Sequence, residues 1–305
     1  MRLLSICLLI AGIFFCAEGN AQVSFKSEYI GKSGYWYMPS GDKPSERIGN
    51  SEGSAIVWQG NANIPFYLKK NENGHPTAWG VGIGGAYASL NNRNFTDNMV
   101  SEIMNLQFGI FHLRPLNDKW SMMASVGMGI YAPFTELSNI RYKNVLGSAG
   151  VIFIRHLKPN LDIGGGLAVN STFGYPMVFP ALYLNWSYEG KFKVNVSLSE
   201  GMDLSAGYNF NDYFALSLAF EMNGQMALLE KDGKDVMFTH QYLVTGLRSE
   251  IKFGQTGLSM PVMAGINAYR PAYYSDRTLK GMFATNNDFY FSVSPYASVG
   301  IRYGF

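Results

Sequence analysis

The chain has very little cysteine. Both of its cysteines, Cys7 and Cys16, lie near the start of a chain of 305 residues. If this first segment is removed as a leader, the mature protein has no thiol, which excludes disulfides, thiolate metal sites and cysteine nucleophiles. The absence of thiols is compatible with an oxidising periplasm.

Charge and long apolar runs are also scarce. Charged residues make up 15% of the chain and the formal net charge is +2, whereas soluble domains carry about 25% charged residues. The balanced charge gives no reason to expect nucleic acid as a partner. After residue 21 no apolar run reaches the roughly 20 residues of a transmembrane helix. The 34 Gly, 19 Tyr and 21 Phe instead indicate a β-sheet in an unusual solvent.

The N-terminus predicts a secretory signal peptide. Arg2 precedes an apolar run from Leu3 to Phe15, and the small residues Gly19-Asn20-Ala21 suit cleavage before Gln22. The predicted organisation is a signal peptide at 1–21 followed by a single β-barrel domain at 22–305. Two alternatives are an uncleaved anchor and a lipoprotein modified at Cys16, which the bulky residues before that cysteine disfavour.

Alternation with a period of two is the strongest pattern in the chain. From Phe289 to Phe305 the odd positions are mostly apolar, whereas the even positions carry Ser, Gly, Tyr and Arg. Successive strand side chains point to opposite faces, so this segment has one apolar face and one small or polar face. The same alternation recurs in the segments 79–87, 120–130, 161–170, 192–198, 214–222 and 258–267.

The length of these segments favours a membrane barrel over a soluble sandwich. Many run for about ten residues, the length of a tilted membrane strand, whereas soluble strands average 5–6. Their polar face is rich in Gly, Ser, Ala and Asn and poor in charge, which suits an enclosed lumen. In lipid a sheet must pair all of its backbone groups, so it spans only as a closed barrel. The predicted fold is an all-β, antiparallel, up-and-down transmembrane β-barrel.

Short and longer links alternate along the chain and set the strand count. Six short turns alternate with seven outer links, which gives fourteen strands with both termini on the periplasmic side. If the segment around Ser199-Glu200-Gly201 folds inward, the count falls to twelve. The longest outer links are predicted at Lys32–Gly53, Gly224–Thr239 and Arg270–Asn287. Lys32–Gly53 is the best candidate for a loop folded into the lumen.

Two features of the C-terminal half connect the chain to outer-membrane proteins. Phe305 ends an alternating strand and resembles the terminal aromatic residue that the barrel-assembly machinery recognises. The stretch KFKVNVSLSEGMDLSAGYNFNDYFALSLAFEMNGQ, Lys191 to Gln225, resembles a block in uncharacterised outer-membrane barrel proteins of Bacteroidota, a domain of unknown function. The resemblance implies a fold and a location in the outer membrane of a Gram-negative bacterium. It implies no activity.

The candidate functional residues are the charged residues on the polar face of the alternating strands. A charge facing lipid near the midplane costs about 2–4 kcal/mol, so these residues are expected to line the lumen. They would either form an internal ion-pair network or tune the selectivity of a pore. The predicted lumen-lining residues are Lys191, Lys193, Asp203, Glu221, Arg248, Glu250, Lys252 and Arg302.

The sequence contains no recognisable catalytic, cofactor or metal motif. The four histidines lack the spacing of His-Glu-x-x-His or His-x-x-Glu-His sites, and no Gly-x-Ser-x-Gly motif occurs. His240 with Ser249 and Glu250 is the best hydrolase candidate, and we expect no enzyme and no cofactor. The expected function is a channel or transporter for small solutes or hydrophobic molecules, in contact with outer-membrane lipid. The alternative is a structural or surface-interaction barrel with a side-chain-filled lumen.

Overall fold

The computed structural model describes residues 21–39, 44–72, 74–95, 99–198, 201–282 and 289–304. Within them lie fifteen β-segments, two 3-10 helices at Phe134–Asn139 and Tyr142–Asn144, and one α-helical turn at Leu279–Met282. No helix in these described ranges has the length and apolar character needed to cross a membrane. The β-segments are β1 (Gln22–Tyr37), β2 (Glu46–Lys70), β3 (Pro76–Arg93), β4 (Glu102–Asn117), β5 (Trp120–Pro133), β6 (Val145–Lys158), β7 (Leu161–Asn170), β8 (Met177–Glu189), β9 (Phe192–Ser197), β10 (Met202–Asn211), β11 (Phe214–Lys231), β12 (Lys234–Lys252), β13 (Leu258–Asp276), β14 (Phe289–Phe291) and β15 (Ser294–Tyr303).

The strands form a closed antiparallel ring. Each strand pairs with its neighbours in sequence, and β1 pairs with β15, for example Phe25 with Ile301. β14 and β15 are two parts of one strand, since both pair with β1 on one side and with β13 on the other. The ring therefore has fourteen strands, and the predicted fold class and count are confirmed.

The apolar parity faces outward around the ring. Leu182 and Leu218 are 74% and 61% exposed, whereas Ala219, the next residue after Leu218, is 1% exposed. A closed barrel with a continuous apolar exterior is the architecture of an outer-membrane protein, because lipid then contacts only apolar side chains and paired backbone. Trp58, Trp79, Trp120 and Trp186 are also exposed on this outer surface.

The parity changes within the last strand. Val293 is exposed, as the alternation predicts, but Phe291 is almost fully buried inside the barrel. The pairing is interrupted between β14 and β15, and β1 has a bulge between Ile30 and Ser33 at the same height. Because a bulge shifts the following residues to the other face, a single parity could not describe this strand from end to end.

The two ends of the barrel differ in the length of their links. The short links at 71–75, 118–119, 159–160, 190–191, 212–213 and 253–257 lie at one end together with Ala21 and Gly304. Short links mark the periplasmic end of such barrels. Both described ends of the chain are therefore periplasmic, as predicted.

Three predicted outer links are wrong in extent. The predicted Lys32–Gly53 loop consists mainly of the ends of β1 and β2, which pair from Ser33 with Gly53 to Tyr37 with Glu46. The predicted Arg270–Asn287 loop begins only after Asp276. The predicted Gly224–Thr239 loop is a hairpin in which β11 and β12 pair up to Lys231 and Lys234. Its turn, Asp232-Gly233, has positive φ at both residues, the conformation that favours Asp-Gly in two-residue hairpins.

Other predictions fall outside the described residues. The signal peptide, apart from Ala21, and the terminal Phe305 lie outside them, so both assignments stay predictions. Ser199 and Glu200 also lie outside, although β9 and β10 flank them as the fourteen-strand prediction requires.

Arginine substitutions on the two faces of β8 test the placement of lipid. Leu182 lies near the middle of β8 on the outer face, and Ala181 faces inward beside it. We expect Leu182→Arg to destabilise the barrel folded in lipid vesicles, lowering its free energy of unfolding by about 2–4 kcal/mol, because the charge would face hydrocarbon. Ala181→Arg, at the same height, is the matched control and is expected to cost less. Equal losses in denaturant titrations of the two variants would contradict the outward parity.

Candidate functional site

One side of the barrel interior carries a line of charged side chains, which we call the charged wall. It extends from β9 through β12 and across to β1. Arg248 on β12 binds Asp203 on β10 with two nitrogens, at 2.9 and 3.1 Å, and Glu221 on β11 at 2.9 Å. The Lys26 ammonium bridges Glu221 at 2.9 Å and Glu28 at 3.1 Å. In the charged wall two cations, Arg248 and Lys26, thus hold three carboxylates, Asp203, Glu221 and Glu28.

The innermost carboxylate of this wall is fully satisfied. Glu28 has no exposed side-chain surface and accepts hydrogen bonds from Gln59 and Tyr242, both at 2.7 Å, and from Tyr296. A buried charge is tolerated only when it is paired and hydrogen-bonded in this way. Glu28 therefore joins β1 to β2, β12 and β15 across the inner face of the ring.

The structure brings most of the predicted lumen-lining residues together. Asp203, Glu221 and Arg248 belong to the line above, and Lys193 binds Glu250 at 2.7 Å beside it. Lys252 and Arg302 lie close enough to act electrostatically on Glu250. Lys191 lies apart, exposed in the link between β8 and β9.

Sequence reasoning missed Lys26 and Glu28. Ser24, Lys26 and Glu28 are alternate residues of β1, so their side chains lie on the same face. Two charged residues on one face of a strand were the available signal that this face points into the lumen. Their partners on β11 and β15 could not be inferred, because those residues are about 195 and 268 positions away in the chain.

The opposite side of the interior is lined by small residues. The inward positions of β3 to β7 include many glycines, among them Gly82, Gly109 and Gly164. At the middle of this wall the inward-facing Gln107, Ser125 and Ser148 are exposed. Side chains that point into a closed ring and are still exposed must border a space that water can enter. The interior therefore contains a water-accessible lumen between the charged wall and this small-residue wall.

The outer mouth of this lumen is closed by the β11–β12 hairpin. From Val236 to His240 five successive residues are buried, and Ala227 and Leu228 are both fully buried. A strand in a barrel wall can bury only alternate residues, so burial of consecutive residues shows that both faces of the hairpin are covered. Phe238 packs in a cluster with residues of β1 to β4, whereas Leu228 and Met237 pack with Leu146 on β6. The hairpin thus crosses the mouth between two walls.

Two asparagines hold the crossing strand by its backbone. Asn105 on β4 donates to the Met226 carbonyl at 2.6 Å and accepts from the Met226 N–H at 3.2 Å. Asn144 donates to the Leu228 carbonyl. These side chains satisfy backbone groups that β11 exposes when it leaves the wall.

Ion pairs fasten the tip of the hairpin beyond the membrane. Lys143 in the β5–β6 link binds Glu230 at 2.8 Å and Asp235 at 2.9 Å, and Arg141 approaches Glu230 at 3.4 Å. The hydrogen bond from Lys143 lowers the pKa of Glu230 below its usual 4.5. Hydrogen bonds to Glu230 and Asp235 raise the pKa of Lys143 above 10.5. We call these four residues the tip latch.

Arg277 adds a second tie across the mouth. It follows β13 and donates to the carbonyls of Lys143 and Thr172, both at 2.7 Å, and of Ser171 at 3.2 Å. One guanidinium thus connects the β5–β6 and β7–β8 links to the end of β13. The closure therefore involves links from both sides of the barrel.

The predicted hydrolase candidates are not brought together. His240 is fully buried inside the closed mouth, where its Nδ1 lies 3.0 Å from Gln225 Oε1. A different set, Ser121, His156 and Asp162, is hydrogen-bonded at the periplasmic end, with 2.8 Å between Ser121 Oγ and His156 Nε2 and 2.7 Å between His156 Nδ1 and Asp162 Oδ1. Ser121 is only 2% exposed, so this set fastens β5, β6 and β7 to one another. No three His, Cys, Asp or Glu side chains of the described ranges cluster in a way that could hold a metal ion.

Comparison with protein families identifies the chain. A family model described as "Domain of unknown function (DUF6268)" matches residues 17–304. The chain belongs to this family. The description of the DUF6268 family assigns no activity, and none of the curated proteins compared matches the chain.

Solved structures resemble this DUF6268 chain only distantly. A deletion mutant of the monoaromatic hydrocarbon channel TodX is 11% identical, with 95% of this chain and 91% of that chain covered and a TM-score of 0.43. An outer-membrane channel of Pseudomonas putida F1 is 8% identical, with 93% and 95% covered and a TM-score of 0.42. The outer-membrane protease OmpT of Escherichia coli is 9% identical, with 93% and 97% covered and a TM-score of 0.27. Since these neighbours include both channels and a protease, the likeness decides no function.

Substitutions in the charged wall test its structural contribution. Arg248→Met removes the partner of Asp203 and one partner of Glu221, and breaking a buried pair in this way typically costs about 3–5 kcal/mol. We expect the triple variant Arg248→Met, Asp203→Asn, Glu221→Gln to regain most of that stability, because no unpaired carboxylate is left and Lys26 keeps Glu28. Denaturant unfolding in detergent would measure the free energy of unfolding of the single and the triple variant. A triple variant no more stable than the single one would contradict the ion-pair account.

Proposed function

We propose that this protein is a gated channel of the Gram-negative outer membrane and that the β11–β12 hairpin is its gate. The observation that carries the proposal is the burial of both faces of the hairpin across a mouth, above a lumen that water can enter. β12 stays paired with the outer end of β13, up to Val236 with Asp276, whereas the pairing of β11 with β10 ends at Met222. The outer ends of β11, β12 and β13 therefore form one flap, which can swing outward as a unit without breaking the ring. The Bacteroidota origin suggested by the sequence remains part of this proposal.

The charge pattern of the lumen supports small, uncharged or zwitterionic solutes. Positive and negative side chains are paired along the charged wall, so the described residues form no ring of one sign around the lumen. Rings of one sign give ion channels their charge selectivity. We therefore propose weak selectivity between cations and anions.

A second candidate is a structural barrel that never opens. The apolar cluster at the outer half favours it, because burial of Leu228, Met237 and Phe238 contributes about 1.5–3 kcal/mol each. The same burial in a gate would make opening rare rather than forbidden. Conductance measurements separate the two candidates, and neither involves an enzymatic role.

The proposed partners are lipid and the assembly machinery of the outer membrane. The apolar exterior supports contact with lipid, and the terminal Phe305 supports recognition by the barrel-assembly machinery during insertion. We propose no cofactor for this protein.

Loosening the gate is expected to increase conductance in planar bilayers. Asn105→Ala removes two hydrogen bonds, each worth about 0.5–1.5 kcal/mol, so the open probability should rise about tenfold or more. Asn195→Ala, which changes an inward-facing asparagine of β9, is the matched control. If Asn105→Ala and wild type both conduct nothing, the structural barrel is favoured.

Crosslinking the tip should close the loosened channel. The mature chain is expected to have no cysteine, so a triple variant Asn105→Ala, Lys143→Cys, Glu230→Cys would carry one reactive pair where a salt bridge of 2.8 Å now lies. We expect it to conduct before treatment with a short bismaleimide and to stop afterwards. Variants with one of the two cysteines should continue to conduct. Undiminished current after verified crosslinking would show that the solute path does not pass the hairpin.

The tip latch predicts opening in acid. Glu230 has a lowered pKa in the closed state, so its contribution to closure is present above about pH 4.5 and is lost as the pH falls through the lowered value. The open probability should therefore rise below about pH 4.5, and Glu230→Gln should show a higher open probability at neutral pH with a smaller acid response. Single-channel recordings between about pH 3 and 7 measure this. An acid response unchanged in Glu230→Gln would exclude this residue as its cause.

A further inference from the structure

A small pocket lies on the outer surface of the barrel, outside the lumen. It has a volume of about 190 Å³ and lies where the outer ends of β1, β2 and β3 meet. Its side chains come from Tyr29, Lys32, Glu52, Asn91 and Arg93. Two of these are basic, and the proposed channel uses none of them.

A β-bulge turns Lys32 toward this pocket. Ile30 faces inward and is fully buried, so an uninterrupted strand would also turn Lys32 inward. The register shifts between Ile30 and Ser33, and Ser33 becomes the buried residue instead. The Lys32 side chain is 61% exposed on the outside. Bulges often re-aim a side chain in this way.

The position of the pocket corresponds to the lipid headgroups of the outer leaflet. On β3, Trp79 and Tyr87 are eight residues apart, which is about 20 Å of height for a strand rising 3.4 Å per residue at a tilt near 40°. This distance approaches the roughly 25 Å apolar band that aromatic girdles flank. Arg93 lies six residues further out, about 15 Å above Tyr87. Charge at this height costs little and meets headgroups.

The pocket carries more positive than negative charge. Among the described residues that line it, Glu52 is the one acidic side chain, and it pairs with Lys32 at 2.5 Å. The described contact of the Arg93 guanidinium is a long hydrogen bond of 3.4 Å to Asn91 Oδ1. Two cations, one carboxylate and a neighbouring Tyr29 suit a phosphate attached to an apolar or sugar-containing body.

We propose that this pocket binds the phosphate of an anionic glycolipid headgroup in the outer leaflet. Lys32 and Arg93 contact the phosphate oxygens, and Tyr29 packs against the part of the lipid that enters the membrane. The proposal is independent of conduction, because the pocket opens to the lipid side of the ring.

Native mass spectrometry of the detergent-solubilised full chain with diphosphorylated lipid A tests the proposal. We expect the variant Lys32→Gln, Arg93→Gln to bind lipid A with an affinity at least about tenfold lower than wild type, because two charge-assisted contacts are lost. The matched control is Lys119→Gln, Lys158→Gln, which removes the same charge from exposed positions at the periplasmic end. This control should bind as wild type does. Equal losses in the two double variants would overturn the proposal in favour of nonspecific attraction.

Two further arms sharpen the test. Glu52→Gln removes the carboxylate that competes for Lys32, so it should bind lipid A more tightly, whereas weaker binding would contradict the assigned role. Dephosphorylated lipid A and zwitterionic phosphatidylethanolamine should be retained less than diphosphorylated lipid A by wild type. Displacement of lipid A by millimolar inorganic phosphate alone would show a free-anion site and would overturn the lipid assignment.

Discussion

The structure depends on one constraint: a backbone N–H or C=O in hydrocarbon has no water to pair with, so each must be paired within the chain. Closure of β1 on β15 meets this constraint for the whole ring. Once the ring is closed, the two parities experience different solvents. The outer parity must be apolar, as Leu182 and Leu218 are, whereas the inner parity can carry any chemistry that packs or hydrates.

The interior has a different structure in the middle of the barrel and at its outer end. In the middle of the barrel, the charged wall ties strands that are distant in sequence, such as Lys26 and Glu221. Toward the outer end the strands extend past the lipid, so β11 can leave β10 and the hairpin can cross the mouth while β12 stays paired with β13. The backbone groups that β11 frees on the side of β10 are taken up by Asn105 and Asn144 rather than by a neighbouring strand. One end of the ring is thereby closed and the middle is stiffened.

The sequence predicted the ring well because alternation and link length are local properties. It predicted the interior less well because interior contacts join distant strands. Lys26 and Glu28 had the right parity, but nothing local indicated Glu221 or Tyr296 as partners. The Asp232-Gly233 turn signal was available, and using it would have replaced the predicted loop by a hairpin. That this hairpin crosses the mouth follows only from Asn105 and Leu146 on the facing strands, which no periodicity reveals.

The distribution of these contacts also separates the part of the barrel that can move from the part that cannot. If the charged wall opened, paired charges would lose their partners inside the ring, and a single broken pair of that kind costs several kcal/mol. If the hairpin lifted together with the outer end of β13, the pairing of β12 with β13 would persist. Lys143, Glu230 and Asn144 would then exchange their partners for water at the aqueous end, which costs much less for each contact. The main resistance to lifting is then the apolar burial of Leu228, Met237 and Phe238. A solute with its own apolar surface could offset that burial, which gives the hairpin, rather than the wall, the energetics of a gate.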